Sequence, residues 1–380
     1  MSRTIYLDNA AATPMDESVF LATQPYLTEE FYNPSAQYST ALNVKRAVEE
    51  ARARIAHWFG SRPGEITFTA GGTEANNLVI HGVMQQYPEA NMIASQVEHD
   101  SVLNPAAQYN HMLLPVRPDG RVVVDELAKA IDGNTVLISI QYANNEVGTI
   151  QPIRKITQLV AEIRKSREKQ GSPLPLLVHV DACQAPAYLD IHTSHLGADF
   201  VVINASKIYG PKQTAALYCK AGISLKSQLH GGGQERGLRS GTENVANIVG
   251  LATALDLVQT RRVDEIARMQ KLQNLFFELV EKTIPAVVIN GSRKYRLPNN
   301  VHVTIPGYDN ERLMMQLDNV GILCAVGSAC SASNDEPSHV LKSMGLSDAE
   351  AQSSLRFTLG FQTTEADVRT TVDALARFVS

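Results

Sequence analysis

Two charged residues stand just past the ends of two apolar strands, and their types define the chemistry open to this chain. Leu176-Leu177-Val178-His179-Val180 reads as a buried strand ending at Asp181, and Phe200-Val201-Val202-Ile203 as another ending just before Ser206 and Lys207. In open α/β sheets ligands bind in the crevice outside the carboxyl ends of the strands, so Asp181 and Lys207 should face one pocket. An acid with a lysine there suits pyridoxal phosphate, whose aldehyde bonds to a lysine amine and whose ring nitrogen needs an acidic partner to stay protonated. Taken alone, a lysine after a strand is a surface residue. Here Ile208-Tyr209-Gly210-Pro211 forces a turn directly after Lys207, and a phosphate-binding signal stands elsewhere. The strand Ile66-Thr67-Phe68-Thr69 runs into Ala70-Gly71-Gly72-Thr73-Glu74 and then a helix. Two adjacent glycines are by themselves a plain turn. Placed between a strand and a helix start, they aim backbone N–H groups and the helix dipole at an anion. His99 follows the strand Met92 to Ser95, again at the end where the crevice lies.

The elements that must position these residues follow from periodicity. Strand and helix alternate from Ile66 to Cys219, which argues for a mostly parallel α/β sheet flanked by helices. Further strands read at 111–116 and 135–141, with Asp125 capping a helix between them. Asn9-Ala10-Ala11-Ala12-Thr13-Pro14 is a small-residue loop able to pass close beneath a ligand, and Asp16 can cap the helix after it. Val44, Val48, Ala51, Ile55 and Trp58 keep helical spacing up to Gly60, with Trp58 read as core. Pro152 opens a helix that runs into a basic stretch, Arg164 to Gln170, read as a solvated helix face. After the glycine-rich segment His230 to Thr242, mobile by composition, the pattern changes to two long helices, Glu243 to Gln259 and Asp264 to Lys282. Shorter strands and helices then make a smaller α+β unit, in which Ser347 to Glu350 is a capping box and alternation along Ser354 to Leu359 puts Arg356 on a polar face.

Bulk properties exclude several classes. A chain of 380 residues with 44% hydrophobic content can bury a large core, and its length suggests two or three domains. A formal net charge of -5 without a basic block leaves no electrostatic footprint for nucleic acid. The N-terminus lacks the apolar core of a signal peptide and no apolar run approaches membrane-spanning length, so a soluble cytoplasmic protein is expected. Cys183, Cys219, Cys324 and Cys330 form no CxxC pair; they read as reduced thiols, and no metal site is expected. The first three lie in or beside apolar strands, as core cysteines do, whereas Cys330 is surrounded by Gly327, Ser328, Ala329, Ser331, Ala332 and Ser333.

Taken together, these residues resemble the NifS/IscS-type cysteine desulfurases, fold type I pyridoxal phosphate enzymes of the class V aminotransferase group. The likeness runs from Tyr6-Leu7-Asp8 to Gly360. It is most specific at Asn145-Glu146-Val147-Gly148, His179-Val180-Asp181-Ala182, Lys207-Ile208-Tyr209-Gly210-Pro211, the glycine loop through Thr242, and Gly327-Ser328-Ala329-Cys330. The resemblance implies a large cofactor-binding domain at 16–257 and a small domain from 1–15 and 258–380 that carries the cysteine loop at about 326–336. It implies that Lys207 bonds the cofactor, Asp181 pairs with the ring nitrogen, His99 stacks on the ring, Gln184 binds the phenolic oxygen, and Asn145 lies beside ring and substrate. Gly72, Thr73 and Ser206 would hold the phosphate, with Thr242 supplied by the partner of a homodimer. Asn33 and Arg356 would bind substrate, Arg356 clamping its carboxylate. The implied reaction moves sulfur from L-cysteine to Cys330 as a persulfide, releases L-alanine, and passes the sulfur to an iron-sulfur scaffold or a tRNA-thiolation enzyme. A selenocysteine lyase or a class V transaminase would share the pocket. The chain departs from the family where Asn204-Ala205-Ser206 replaces the usual Ser-Gly-His, where Tyr32 replaces a glycine, and at Ser39.

Overall fold

The computed structural model describes residues 4–327 and 337–379. A two-residue strand, β1 (Ile5–Tyr6), opens the chain. Seven strands then build the main sheet: β2 (Ile66–Thr69), β3 (Asn91–Ser95), β4 (His111–Leu114), β5 (Thr135–Ser139), β6 (Leu177–Asp181), β7 (Phe200–Asn204) and β8 (Ala215–Cys219), in the spatial order β2-β8-β7-β6-β5-β3-β4. Neighbours from β4 through β7 pair in parallel, and β8 runs antiparallel to both β7 and β2. The carboxyl ends of β2, β3, β5, β6 and β7 therefore open on one edge. The central strands are buried nearly end to end, which their runs of Val, Ile, Leu and Phe require when helices cover both faces. The reading of 111–116 as strand stops early, at Leu114, because Val116 instead bridges Val122 across the Pro118-Asp119-Gly120 turn.

Four further strands lie among the described residues. β9 (Val288–Ile289), β10 (Asn300–Thr304) and β12 (Ser354–Thr358) form an antiparallel sheet in the order β12-β10-β9, while β11 (Ile322–Leu323) pairs in parallel with β1. The strand near the N-terminus thus joins the C-terminal third of the chain. Every residue of β12 is buried, so Arg356 sits inside at 1% exposure and not on a solvated face.

Where two helices were expected after Thr242, one helix of 39 residues runs from Val245 to Thr283. The polar stretch Thr260-Arg261-Arg262-Val263 contains neither glycine nor proline, and Asp264 does not cap, so nothing interrupts the backbone ladder. This helix packs on the helix Ser39–Phe59, where Arg54 pairs with Asp256 at 2.7 Å. Trp58 is only half-buried there, its indole N–H donating to the same Asp256. Gly60 ends the helix in the left-handed region at φ +61°, and a Cβ there would lie 1.9 Å from the His192 ring. One apolar cluster includes Ile55, Phe59, Val180, Phe276, Phe357 and Leu375. Truncating a ring such as Phe276 to alanine costs about 3–5 kcal/mol.

Two surface readings change. The basic stretch belongs to the helix Ile153–Lys169, but Arg164 reaches Asp199 and donates to the Leu176 carbonyl, and Arg167 is buried, donating to the Asp132 carbonyl at 2.6 Å. These arginines staple the helix to the strand ends. The helix Val124–Ala130 takes Val123 as its N-cap, which leaves Asp125 in the first turn. Asp16 caps as expected, accepting from the Ser18 N–H at 2.9 Å, and the Ser347–Glu350 capping box forms.

Candidate active site

At the open edge of the main sheet, a cavity of about 250 Å³ collects side chains from five strand ends. Asp181, the last residue of β6, faces it; Oδ1 accepts from the Cys183 N–H at 2.9 Å and Oδ2 from Asn76 Nδ2 at 2.8 Å. Lys207 ends a short 3-10 turn after β7, and its Nζ donates to the Ala11 carbonyl. Ala10 and Ala11 line the cavity, so the small-residue loop passes beside it as its composition indicates. Gln184 donates to the Ala10 carbonyl at 3.0 Å. His99 is the N-cap of the helix Asp100–Ala106, with Nδ1 accepting from the Ser101 N–H at 3.0 Å. Asn145 lines one wall, and its carbonyl accepts from Arg356 at 3.0 Å. Arg356 also pairs with Asp8 at 2.7 Å, while its buried Nε has no partner among the described residues.

The donor set fits pyridoxal phosphate. The helix Gly72–Met84 begins at the cavity, where the N–H groups of its first turn have no acceptor within the helix. A Cβ on Gly72 would lie 2.8 Å from Cys183 Sγ and 3.4 Å from Asn204 Nδ2, so only glycine lets the helix start pack this close to those two cavity-lining side chains. An acid and an amine, Asp181 and Lys207, line the same cavity, as ring and aldehyde require.

Not every residue singled out by sequence comes to this cavity. Ser206 does not line it; its hydroxyl donates to Asn204 Oδ1 at 3.0 Å, and Asn204 lines the wall instead. Thr242 is exposed and borders a separate cavity of about 180 Å³ with Gln213, Glu235 and Arg239. The loop that carries it is pinned: Glu235 is buried in a two-point pair with Arg52 at 2.7 and 2.8 Å. Asn33 is exposed and caps its own turn, accepting from the Ser35 N–H at 2.9 Å. Cys330 lies outside the described residues. Cys183 is no core cysteine, since it lines the cavity beside Asp181. Burial pushes its thiol up, and burial likewise pushes Cys219 and Cys324 to about 12.

Sequence reasoning passed over Asn76, Ser101, Asn204 and Glu98. Asn76 stands one helical turn after Gly72, a spacing that places both on one helix face. Ser101 offered no signal beyond its nearness to His99. Glu98 is fully buried beneath the site; Oε1 takes the Gln141 N–H at 3.0 Å and the Ser95 hydroxyl, and Oε2 has no partner among the described residues. Burial pushes its carboxyl up to about 8, with the nearby Asp181 charge adding to the effect. Burial pushes His179, one residue pair before Asp181 on β6, down to about 4.

The architecture is that of the fold type I pyridoxal phosphate enzymes, with the site at the carboxyl edge of the sheet. More narrowly, the chain belongs to the aminotransferase class-V family, whose model matches residues 5–370. A cysteine desulfurase IscS from Dictyoglomus turgidum is 40% identical over 386 aligned positions, covering 100% of this chain and 95% of that protein. A solved NifS-like protein superposes with a TM-score of 0.90 at 30% identity over 99% of both chains. SspA, solved in complex with cysteine, has a TM-score of 0.80 at 32% identity over 94% of this chain and 99% of that one.

Proposed function

We propose that this protein is a pyridoxal-phosphate-dependent cysteine desulfurase that transfers sulfur from L-cysteine to Cys330 and releases L-alanine. The observation that carries the reading is the meeting of Lys207, Asp181 and the buried Arg356 in one cavity, in a chain that also bears the Gly327-Ser328-Ala329-Cys330 segment. Full-length relatedness to desulfurases supports it.

Lys207, Asp181, His99, Gln184 and the Gly72-Thr73 helix start would hold the cofactor, with Asn204 rather than Ser206 nearest the phosphate turn. When bound, the cofactor supplies an electron sink that weakens bonds at the substrate Cα. Arg356, fixed by Asp8 and the Asn145 carbonyl, offers its guanidinium to the substrate carboxylate. The Lys207 amine is placed to take up and return the Cα proton. Cys330, as thiolate, then attacks the substrate sulfur. An S–S bond forms, the Cβ–S bond breaks, and its electron pair stays on carbon, which is protonated to give alanine.

The division into 16–257 and a second unit of 1–15 with 258–380 is supported by the separate small sheets and by pairing of β1 with β11. A homodimer is supported by exposed apolar side chains concentrated near the N-terminus, among them Met15, Phe20, Leu21, Leu27 and Phe31, and by Thr242 lying outside its own chain's cavity. Delivery of the persulfide to an iron-sulfur scaffold or a tRNA-thiolation enzyme in the cytoplasm completes the reading; among the described residues no helix is long and apolar enough to cross a membrane. The test incubates purified, cofactor-loaded protein with L-cysteine and quantifies alanine and protein-bound persulfide. Equimolar alanine and persulfide on the Cys330 peptide are expected. Pyruvate, or alanine formed unchanged by Cys330→Ala, would point to a lyase or transaminase.

A further inference from the structure

A chain of three hydrogen bonds runs along the wall of the cavity and has one consistent direction. Asn76 is 1% exposed, and its Nδ2 lies 2.8 Å from Asp181 Oδ2 and 2.9 Å from Ser101 Oγ. Ser101 Oγ lies 2.9 Å from His99 Nδ1, which also takes the Ser101 backbone N–H at 3.0 Å. An ionised carboxylate only accepts, so the atom that Asn76 presents to Asp181 must be its NH2 group, and the inventory of donors assigns the remaining hydrogens. One amide hydrogen goes to Asp181 and the other to Ser101 Oγ. Ser101 has thereby filled its acceptor role toward Asn76 and gives its hydroxyl proton to His99. Nδ1 is then an acceptor from both Ser101 donors, and the proton of the neutral ring sits on Nε2. Turning the amide over would set Oδ1 against the carboxylate and leave Ser101 without a donor. In the orientation found, Asn76 Oδ1 is the atom left buried with no partner among the described residues. Such an orphaned acceptor is a cost, and it shows that the two donor bonds decide the amide's orientation.

We propose that Asn76 is a positioning residue that, through the Ser101 hydroxyl, adds a second donor to His99 Nδ1 beside the Ser101 backbone N–H, which already requires the ring proton on Nε2, and so couples the acid that would pair with the cofactor's ring nitrogen to the histidine that would stack on the ring. The coupling runs in series: Asp181 orients Asn76, Asn76 orients the Ser101 hydroxyl, and that hydroxyl joins the Ser101 backbone N–H in holding His99 Nδ1 as an acceptor. His99 then faces substrate and cofactor as a hydrogen donor. Its catalytic meaning rests on the proposed desulfurase reading; the tautomer does not.

The test uses cofactor-loaded enzyme labelled with 15N-histidine, observed by two-bond 15N–1H correlation, together with steady-state kinetics on L-cysteine. Wild type should show His99 as the Nε2–H tautomer with a hydrogen-bonded Nδ1. In Asn76→Leu, Asn76→Asp and Ser101→Ala, the Nδ1 resonance should move toward that of an unbonded acceptor. Each variant should lose about tenfold in kcat, the scale of one hydrogen bond, with little change in KM. Because the links are in series, Asn76→Leu combined with Ser101→Ala should be no slower than the worse single variant. A His99 protonated on Nδ1 in wild type, an unmoved Nδ1 resonance in Asn76→Leu, or losses that multiply in the double variant would each overturn the proposal. If Asn76→Leu does not fold, as its melting transition would show, Ser101→Ala removes a single oxygen and decides alone: an unmoved Nδ1 resonance there refutes the relay. Failure of the desulfurase reading is distinct, since wild type would then release no alanine while the tautomer result stands.

Discussion

Replacing Glu98 by glutamine should make the protein's stability respond differently to pH, in a direction fixed by the burial of the carboxyl. Burial disfavours the charged form and holds its carboxyl at about 8 in the native state against an ordinary 4.5. Between those values the native state holds a proton that the unfolded chain has lost, so the stabilisation from that proton is fully present below 4.5 and is lost as pH rises toward 8. At 1.36 kcal/mol for each pH unit of that gap, the full loss is on the order of 5 kcal/mol, of which about 4 kcal/mol falls between pH 5 and pH 8.5. Glu98→Gln keeps an oxygen for the Gln141 N–H and carries no titrating proton. For a chain this long, about 1 °C of Tm corresponds to 1 kcal/mol, so the Tm of the variant minus that of wild type should rise by roughly 4 °C from pH 5 to pH 8.5. His179 acts in the opposite sense: held down to about 4 by burial, it contributes stability above 6.5 that is lost as pH falls. Being common to both proteins, it drops out of the difference. The assay is differential scanning fluorimetry of both at equal concentration with saturating cofactor. A difference that stays flat with pH would refute the inference that Glu98 is held neutral beneath the site.

Burial pushes up the thiols of Cys183, Cys219 and Cys324, and a thiol reacts only as thiolate. Iodoacetamide should therefore label Cys330 first, with activity falling in step; peptide mapping that finds Cys183 labelled first would contradict this. Asn204→Ala should speed cofactor loss on dialysis severalfold, because Asn204 rather than Ser206 lines the cavity beside Gly72, whereas Ser206→Ala should act more weakly, since it removes only the hydroxyl donor and leaves Asn204 Oδ1 the Ser206 N–H at 3.1 Å. Equal effects would return Ser206 to the phosphate. Arg356→Lys should raise KM for L-cysteine about tenfold or more, since an ammonium cannot make the paired bonds of a guanidinium.

The sheet was legible because its strands are short apolar runs ending in punctuation, such as Thr69 before Gly71-Gly72 and Val180 before Asp181. The cavity was legible for the same reason, since strand ends announce where ligands sit. What remained hidden depends on packing. Nothing local shows that Arg356 turns inward onto Asp8, because a strand's alternation identifies its faces but not what covers the polar one. The long helix looked like two because polarity around Arg261 resembles a loop, although polar residues without glycine or proline do not break a helix. Asn76, Ser101 and Glu98 act through partners 25 to 105 residues away or buried beneath the site, which spacing along the chain does not reveal.

Lys207 and Asp181 line one cavity at the carboxyl ends of the sheet strands, where the proposed cofactor would bind. Borohydride reduction of the loaded enzyme, followed by proteolysis and mass spectrometry, tests it most directly. A pyridoxyl adduct on the Lys207 peptide, absent in Lys207→Ala, is the predicted result. An adduct on another lysine, or one that persists in Lys207→Ala, would contradict the account.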